Sequence, residues 1–229
     1  MRRTFTRATT IVATIGLALG SAIAHAQSSG NFSANVNTTK CLIDNVGGTL
    51  SGGIGATLLD TTIQTPNASS TALVIRPSLV TGLFTTNKVT TTLTTSTAFA
   101  GVQVRVLLDG KVVAPGTPVG ATAGPEDGWV YYDKRWTQIN QTFLNQIAAC
   151  ALDTTVNCSL ELIQSTLSAH SMDYVAGNVG GGSHTLRAEW RFEDSDTTGG
   201  NSASCVGPGV LTVEQVKTFS TGGGITISP

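Results

Sequence analysis

The sequence predicts an all-β protein, an antiparallel β-sandwich, and three observations carry that expectation. Between Gly182 and Phe192 the residues change character at every step. His184, Leu186, Ala188, Trp190 and Phe192 share one face and Thr185, Arg187, Glu189 and Arg191 the other, the period of two that a half-buried strand requires. Val102 to Leu108 alternates just as cleanly and runs into Asp109-Gly110, a dipeptide suited to a tight hairpin turn. Threonine crowds the stretch Leu83 to Thr95, and β-branched residues at that density favour strand over helix.

The first 26 residues read as an export signal. Arg2, Arg3 and Arg7 precede an apolar stretch from Ile11 to Ile23, and Ala24-His25-Ala26 is a small-x-small cleavage site. The apolar run is too short for a membrane anchor and is followed at once by polar sequence. Arg2-Arg3 is also compatible with a twin-arginine signal, although disulfides formed after export fit that route poorly. Cleavage removes three of thirteen basic residues and none of fourteen acids, leaving ten against fourteen and a formal charge of −4. That balance argues against nucleic acid or an anionic membrane as partner. The expected location is secreted or at the cell surface, with the periplasm as an alternative, and no membrane span is expected in the mature chain.

Residues 27–67 are rich in Gly, Ser, Thr and Asn and read as an extended arm with one or two weak strands. A sharper reading makes the arm a donor that completes a neighbour's sheet. The sandwich is expected over 68–229. Ala72 to Arg76 is a short strand that Pro77 places at an edge or a strand end. The loop from Ala114 to Gly128 is punctuated by Pro and Gly, and Trp129 to Tyr132 forms a brief strand. From there Trp136, Ile139, Phe143 and Ile147 recur at helical spacing behind Asp133 as a cap, and Leu160, Ile163 and Leu167 repeat the pattern over 159–168. Together they predict a small two-helix insertion at about 134–168. Ser171 to Ala176 returns to strand, and a last strand from Val210 to Phe219 slips in its alternation near Gln215, where a bulge is expected. The strand sequence is reminiscent of jelly-roll or immunoglobulin-like exported modules at the level of fold alone.

Four cysteines remain in the mature chain, an even number suited to two disulfides in an oxidising compartment. Cys150 and Cys158 enclose a short polar loop and are expected to pair, which leaves Cys41 to clip the arm to Cys205. A zinc site is the alternative reading, but the spacings fit no familiar finger and only His170 and His184 are available to help.

Catalytic chemistry is thinly represented. No Gly-x-Ser-x-Gly elbow occurs, so a hydrolytic triad would have to be built around His170 or His184. Paired carboxylates for glycoside hydrolysis would come from Glu126, Asp127 or Glu189, and nothing in the sequence sets a pair at the needed separation. Glu193, Asp194 and Asp196 offer hard oxygen ligands suited to Ca²⁺, without an EF-hand spacing. Trp129, Tyr131, Tyr132 and Trp136 concentrate aromatic surface, and Trp129, Tyr132 and Trp136 with Asp127 form the candidate stacking platform for sugar rings. Asn31, Asn37, Asn67, Asn140 and Asn157 are glycosylation acceptors if the host modifies them. The expectation is a non-enzymatic exported sandwich with a structural, adhesive or surface-assembly role, partnered by glycans or by other copies of itself. A carbohydrate-binding module and a glycan-active hydrolase are the alternatives.

Overall fold

The computed structural model of the chain describes residues 30–41, 56–67, 71–116, 127–143 and 158–217. The stretch expected to be an export signal, Glu126, Cys150 and the tail after 217 lie outside the described residues. Among the described residues ten strands form two antiparallel sheets. Sheet A runs β1 (Phe32–Asn37), β10 (Gly200–Lys217), β3 (Thr71–Thr90), β7 (Ser159–Ser171), and β8 (Tyr174–Ala176) also pairs with β3. Sheet B runs β2 (Ala56–Thr65), β9 (Gly182–Asp194), β4 (Thr95–Leu108), β5 (Lys111–Val112), and β6 (Val130–Asn140) also pairs with β4.

The expected sandwich is thus present, and the two best-patterned stretches are neighbours in sheet B, β9 against β4. Their inward rows, Leu186 and Ala188 with Val102, Val104 and Val106, meet Leu73, Ile75, Leu79, Leu83, Leu211 and Val213 of sheet A in one core. Each fully buried side chain of this size contributes about 1.5–3 kcal/mol. Tyr174 and Tyr132 complete the core, their hydroxyls donating to Val104 O at 3.2 Å and Pro77 O at 3.1 Å. Burial raises the pKa of both phenols, and each is a hydrogen-bond donor at any ordinary pH. Asp109 (φ 51°) and Gly110 (φ 78°) both adopt left-handed conformations, the geometry of a primed hairpin turn between β4 and β5.

The segment read as an arm supplies an edge strand to each sheet. β1 pairs with β10 of its own chain, and its inward Ser33, Asn35 and Asn37 bond β2 at Thr61 Oγ1, Asp60 O and Leu58 O. This polar ladder closes one side of the sandwich. Cys41 then bonds Cys205, with Cα atoms 5.2 Å apart, and its N–H donates to Gly207 O at 2.9 Å. Cys158 is also disulfide-bonded, while Cys150, its expected partner, lies outside the described residues.

Three sequence expectations are corrected. The two-helix insertion is absent from the described residues: 130–140 and 159–171 are the strands β6 and β7, and only a helical turn at 141–143 follows β6. Asn140, not Asp133, caps that turn, accepting from Phe143 N at 3.2 Å. Between Tyr132 and Ile139 the inward row of β6 is polar, which hid its period of two. Asp133 accepts from Thr81 Oγ1 at 3.0 Å, and Thr137 Oγ1 accepts from Asn87 Nδ2 at 2.6 Å. The helical rhythm was accidental: Trp136 points out to solvent while Ile139 packs inward with Val89 and Leu160.

Pro77 lies in the middle of the twenty-residue β3 and not at a strand end. β8 pairs with residues 73–75 and β7 with 78–90, so Pro77 faces the break between them, where no N–H is needed. The bulge of β10 falls between Val206 and Gly209, where Gly207 has φ 123°, and pairing is regular through Gln215.

The strand geometry of β6 predicts opposite outcomes for two residues that a helix would place on one stripe. Ile139→Ala is expected to destabilise the protein by about 2–4 kcal/mol, and Trp136→Ala by less than about 1 kcal/mol, in urea denaturation followed by circular dichroism. Comparable losses at both positions would restore the helix.

Candidate functional site

Two places gather side chains with chemical potential. The larger is the outer face of sheet B. Strand register sets Arg105 of β4 opposite Glu189 of β9, Gln103 opposite both Arg191 and Tyr131, and Phe99 opposite Trp136. Glu189, expected on the solvent side, is only 4% exposed. Its Oε2 accepts from Arg105 at 2.8 Å (Nε) and 2.7 Å (Nη2), and Oε1 lies 3.5 Å from Arg187 Nη1. Arg105 also donates to Asp127 O at 3.0 Å.

Above this buried pair lies Trp129, with the Arg105 and Arg191 guanidiniums 4.5 Å and 4.8 Å from its ring centroid, within cation–π range. Arg191 Nε donates to Gln103 Oε1 at 2.5 Å. Gly101 leaves a shallow seat on which the rings of Tyr131 and Phe99 rest. A Cβ there would come within 3.1 Å of Tyr131 Cε1 and 3.2 Å of Phe99 Cζ. Lys134 stands over the same two rings, 4.8 Å and 5.1 Å from their centroids. The Tyr131 hydroxyl donates to Glu193. Desolvation first, and that acceptor second, push its pKa up to about 12. Trp136 closes the row, 59% exposed, and Tyr131 is 38% exposed.

The expected platform is therefore rearranged. Trp136 is on the surface and Trp129 is half-buried between its arginines. Tyr132, bulged inward where Val102 and Gln103 pair with Asp133 and Tyr131, is buried in the core. Tyr131 takes its place on the outer face. Asp127 meets this face through its backbone carbonyl. Arg105, Gln103, Phe99, Lys134 and Arg191 belong to the site and were not expected there. Their signal in the sequence was the polar entries of the Val102 to Leu108 alternation, but which strands flank β4 is a matter of topology.

The acidic run is dispersed. Glu193 binds Tyr131, Asp194 ends β9, and Asp196 accepts from Phe99 N at 3.0 Å and Ser202 Oγ at 2.8 Å, tying the β9–β10 connection to β4. Among the described residues no group of three or more His, Cys, Asp or Glu side chains is placed to hold a metal ion.

The smaller place is a cleft of about 330 Å³ at one end of the sandwich, lined by the β4–β5 turn, residues 175–180 and His184. His184 Nδ1 lies 2.7 Å from Asp109 Oδ2, and Nε2 lies 3.0 Å from both Thr65 Oγ1 and Gly180 O. The arrangement resembles an Asp-His-Thr relay, but its hydrogen bonds run the wrong way for one. The Thr65 hydroxyl donates to Gly180 O at 2.5 Å, and a carbonyl facing Nε2 calls for a donor there. A carboxylate beside Nδ1 and a carbonyl beside Nε2 favour the protonated ring and raise its pKa above the ordinary histidine value. His170 lies elsewhere, on β7, with Nε2 3.5 Å from Asp133 Oδ2 between the sheets.

No helix among the described residues is long and apolar enough to cross a membrane. Compared with protein-family models and with curated proteins, the chain matches none.

The Asp109–His184 pair makes stability pH-dependent in a defined window. The hydrogen bond that His184 donates to Asp109 raises the His184 pKa, so the histidine's contribution is complete below its unfolded value of about 6.5 and is lost as pH rises through the higher folded value. Burial pulls Asp109 upward, but the hydrogen bonds of His184 and Thr185 outweigh it and the net shift is downward. Its contribution is complete above about pH 3.9 and is lost as pH falls through the lower folded value. The melting-temperature difference between wild type and Asp109→Asn should therefore peak at about pH 4–6.5 and shrink in alkaline buffer. A difference that stays constant from that window into alkaline buffer would mean the pair does not titrate as described.

Proposed function

We propose that the protein is an exported, non-enzymatic adhesive β-sandwich that binds carbohydrate on the outer face of sheet B. The observation that carries this reading is the exposed indole of Trp136 in line with Tyr131 on β6, with hydrogen-bonding groups on the same face. The β4 partners of these two rings, Phe99 and Gln103, are four positions apart, a span of about 13 Å at the rise of a strand. That is room for separate sugar rings of one chain. Aromatic faces stack on the apolar faces of sugars, while Lys134, Gln138 and the carboxylate of Glu193 supply donors and acceptors for hydroxyls. A sheet face gives a flat, rigid support, so little ordering is needed on binding.

A catalytic role finds less support in the same residues. Glu189 is buried and ion-paired with Arg105, and His184 is held between the Asp109 carboxylate and the Gly180 carbonyl, so neither is disposed as a free general base. The Cys41–Cys205 disulfide suits an oxidising compartment.

Binding to immobilised neutral and acidic polysaccharides tests the proposal. Wild type should be retained by at least one, and Trp136→Ala should weaken that binding at least about tenfold, equivalent to about 1.4 kcal/mol, with the melting temperature held. Retention unaffected by Trp136→Ala, or no retention on any polysaccharide, would overturn the assignment.

A further inference from the structure

Among the described residues β7 is the outermost strand of sheet A, and it has few of the features that commonly keep such an edge from pairing. It runs 13 residues in unbroken register with β3, without proline or bulge, and Glu161 and His170 are its only ionisable side chains. The direction of its unused backbone groups follows from β3. Lys88 N donates to Gly199 O on the β10 side, whereas Thr71 O accepts from Val179 N on the β8 side. Even residues of β3 therefore address β10 and odd residues address β7 and β8. Odd β3 residues lie opposite even β7 residues, Leu83 opposite Thr166 and Thr85 opposite Gln164. The N–H and C=O groups of Glu161, Ile163, Ser165, Leu167 and Ala169 consequently point to the open edge. Side chains of the same odd residues stand on the outer face of sheet A, where Ile163 is 56% and Leu167 61% exposed.

We propose that this edge is a self-association surface, on which β7 pairs antiparallel with β7 of a second copy about a two-fold axis at Ser165. In that register Ile163 faces the second copy's Leu167 and Leu167 faces its Ile163, so four aliphatic side chains form one cluster. Glu161 falls opposite Ala169 of the second copy, and the strand's one carboxylate meets no like charge. Directly opposite residues exchange both backbone hydrogen bonds, as the orientation of the odd residues requires. Centring the axis on Ile163 would set Leu167 opposite Ser159, and centring it on Leu167 would set Ile163 opposite Ser171. Either alternative pairs one aliphatic residue with its own copy and leaves the other opposite a serine, whereas the axis at Ser165 sets both Ile163 and Leu167 against aliphatic partners.

The interface is isologous and closes as a dimer. Its axis is perpendicular to sheet A, so the two B sheets lie on the same side and both Trp136 rows face one direction. A long polymer would then be held at two points, with the gain in affinity that linkage brings. The dimer stands on the edge alone; the gain in affinity rests on the proposed sugar-binding function.

Sedimentation velocity of the mature protein over a wide concentration range tests the dimer without reference to any ligand. Wild type should sediment at twice the chain mass. Ser165→Pro removes an N–H that β3 does not use, and the double variant Ile163→Lys, Leu167→Lys sets like charges against each other. Each should sediment as a monomer with unchanged strand content by circular dichroism, and if one fails to fold the other decides. A wild type that is monomeric at every concentration, or a dimer that survives in a folded variant, would overturn the proposal.

Discussion

Strand β4 is buried on both faces along nearly its whole length, and that constraint organises the rest of sheet B. Val102, Val104 and Val106 fill the inter-sheet core, so Gln103 and Arg105 must face the other way, where they are also buried. A guanidinium taken out of water needs an opposite charge with good geometry, and Glu189 on β9 supplies it. The pairing leaves β9 no freedom of register. A slip of one residue would turn Glu189 into the core and Ala188 outward, exchanging every contact on both faces. Arg191 then falls on Gln103, Trp129 over the arginines, and Tyr131 onto Gly101. The row that ends at Trp136 is the exposed margin of this buried polar arrangement.

The two halves of the sandwich cohere by different means. Over β9, the N-terminal part of β3 and the C-terminal part of β10 the inter-sheet space is aliphatic. Toward β6 and β7 it turns polar: Asp133 meets Thr81, Thr137 meets Asn87, and Arg135 reaches Leu83 O and Thr166. Thr85 Oγ1 and Ser204 Oγ are buried there without a protein partner. Hydrogen bonds exchange water for protein partners at a modest net gain, so β6 and β7 hold to the core less firmly than β9 and β4 do. Both surfaces with the means to bind, the Trp136 row and the open edge of β7, lie on this polar side. Binding there need not disturb the aliphatic half.

Much of the aliphatic half was legible in the sequence, because its strands show one greasy and one polar face. The periods of β9 and of β4, and the Asp109-Gly110 turn, carried over to the structure unchanged. Legibility failed where that physical contrast is missing. β6 is polar inward and aromatic outward, and β7 is exposed on both faces, so neither presents a period of two. What apolar residues they have fell by chance at helical spacing. Trp136 was legible as part of a platform, whereas Tyr132 and Tyr131 exchanged places because a bulge reverses the direction of a side chain. The Arg105–Glu189 pair spans 84 positions of sequence, and nothing local announces it.

The dependence of sheet B on that buried pair is open to one direct measurement, a double-mutant cycle on Arg105→Met and Glu189→Leu by urea denaturation. Each single substitution strands a buried charge and should cost about 3–5 kcal/mol. The double variant, with no charge left to strand, should be less destabilised than the sum by at least about 2 kcal/mol. Costs that add to within about 0.5 kcal/mol would contradict the account and leave the two residues energetically independent.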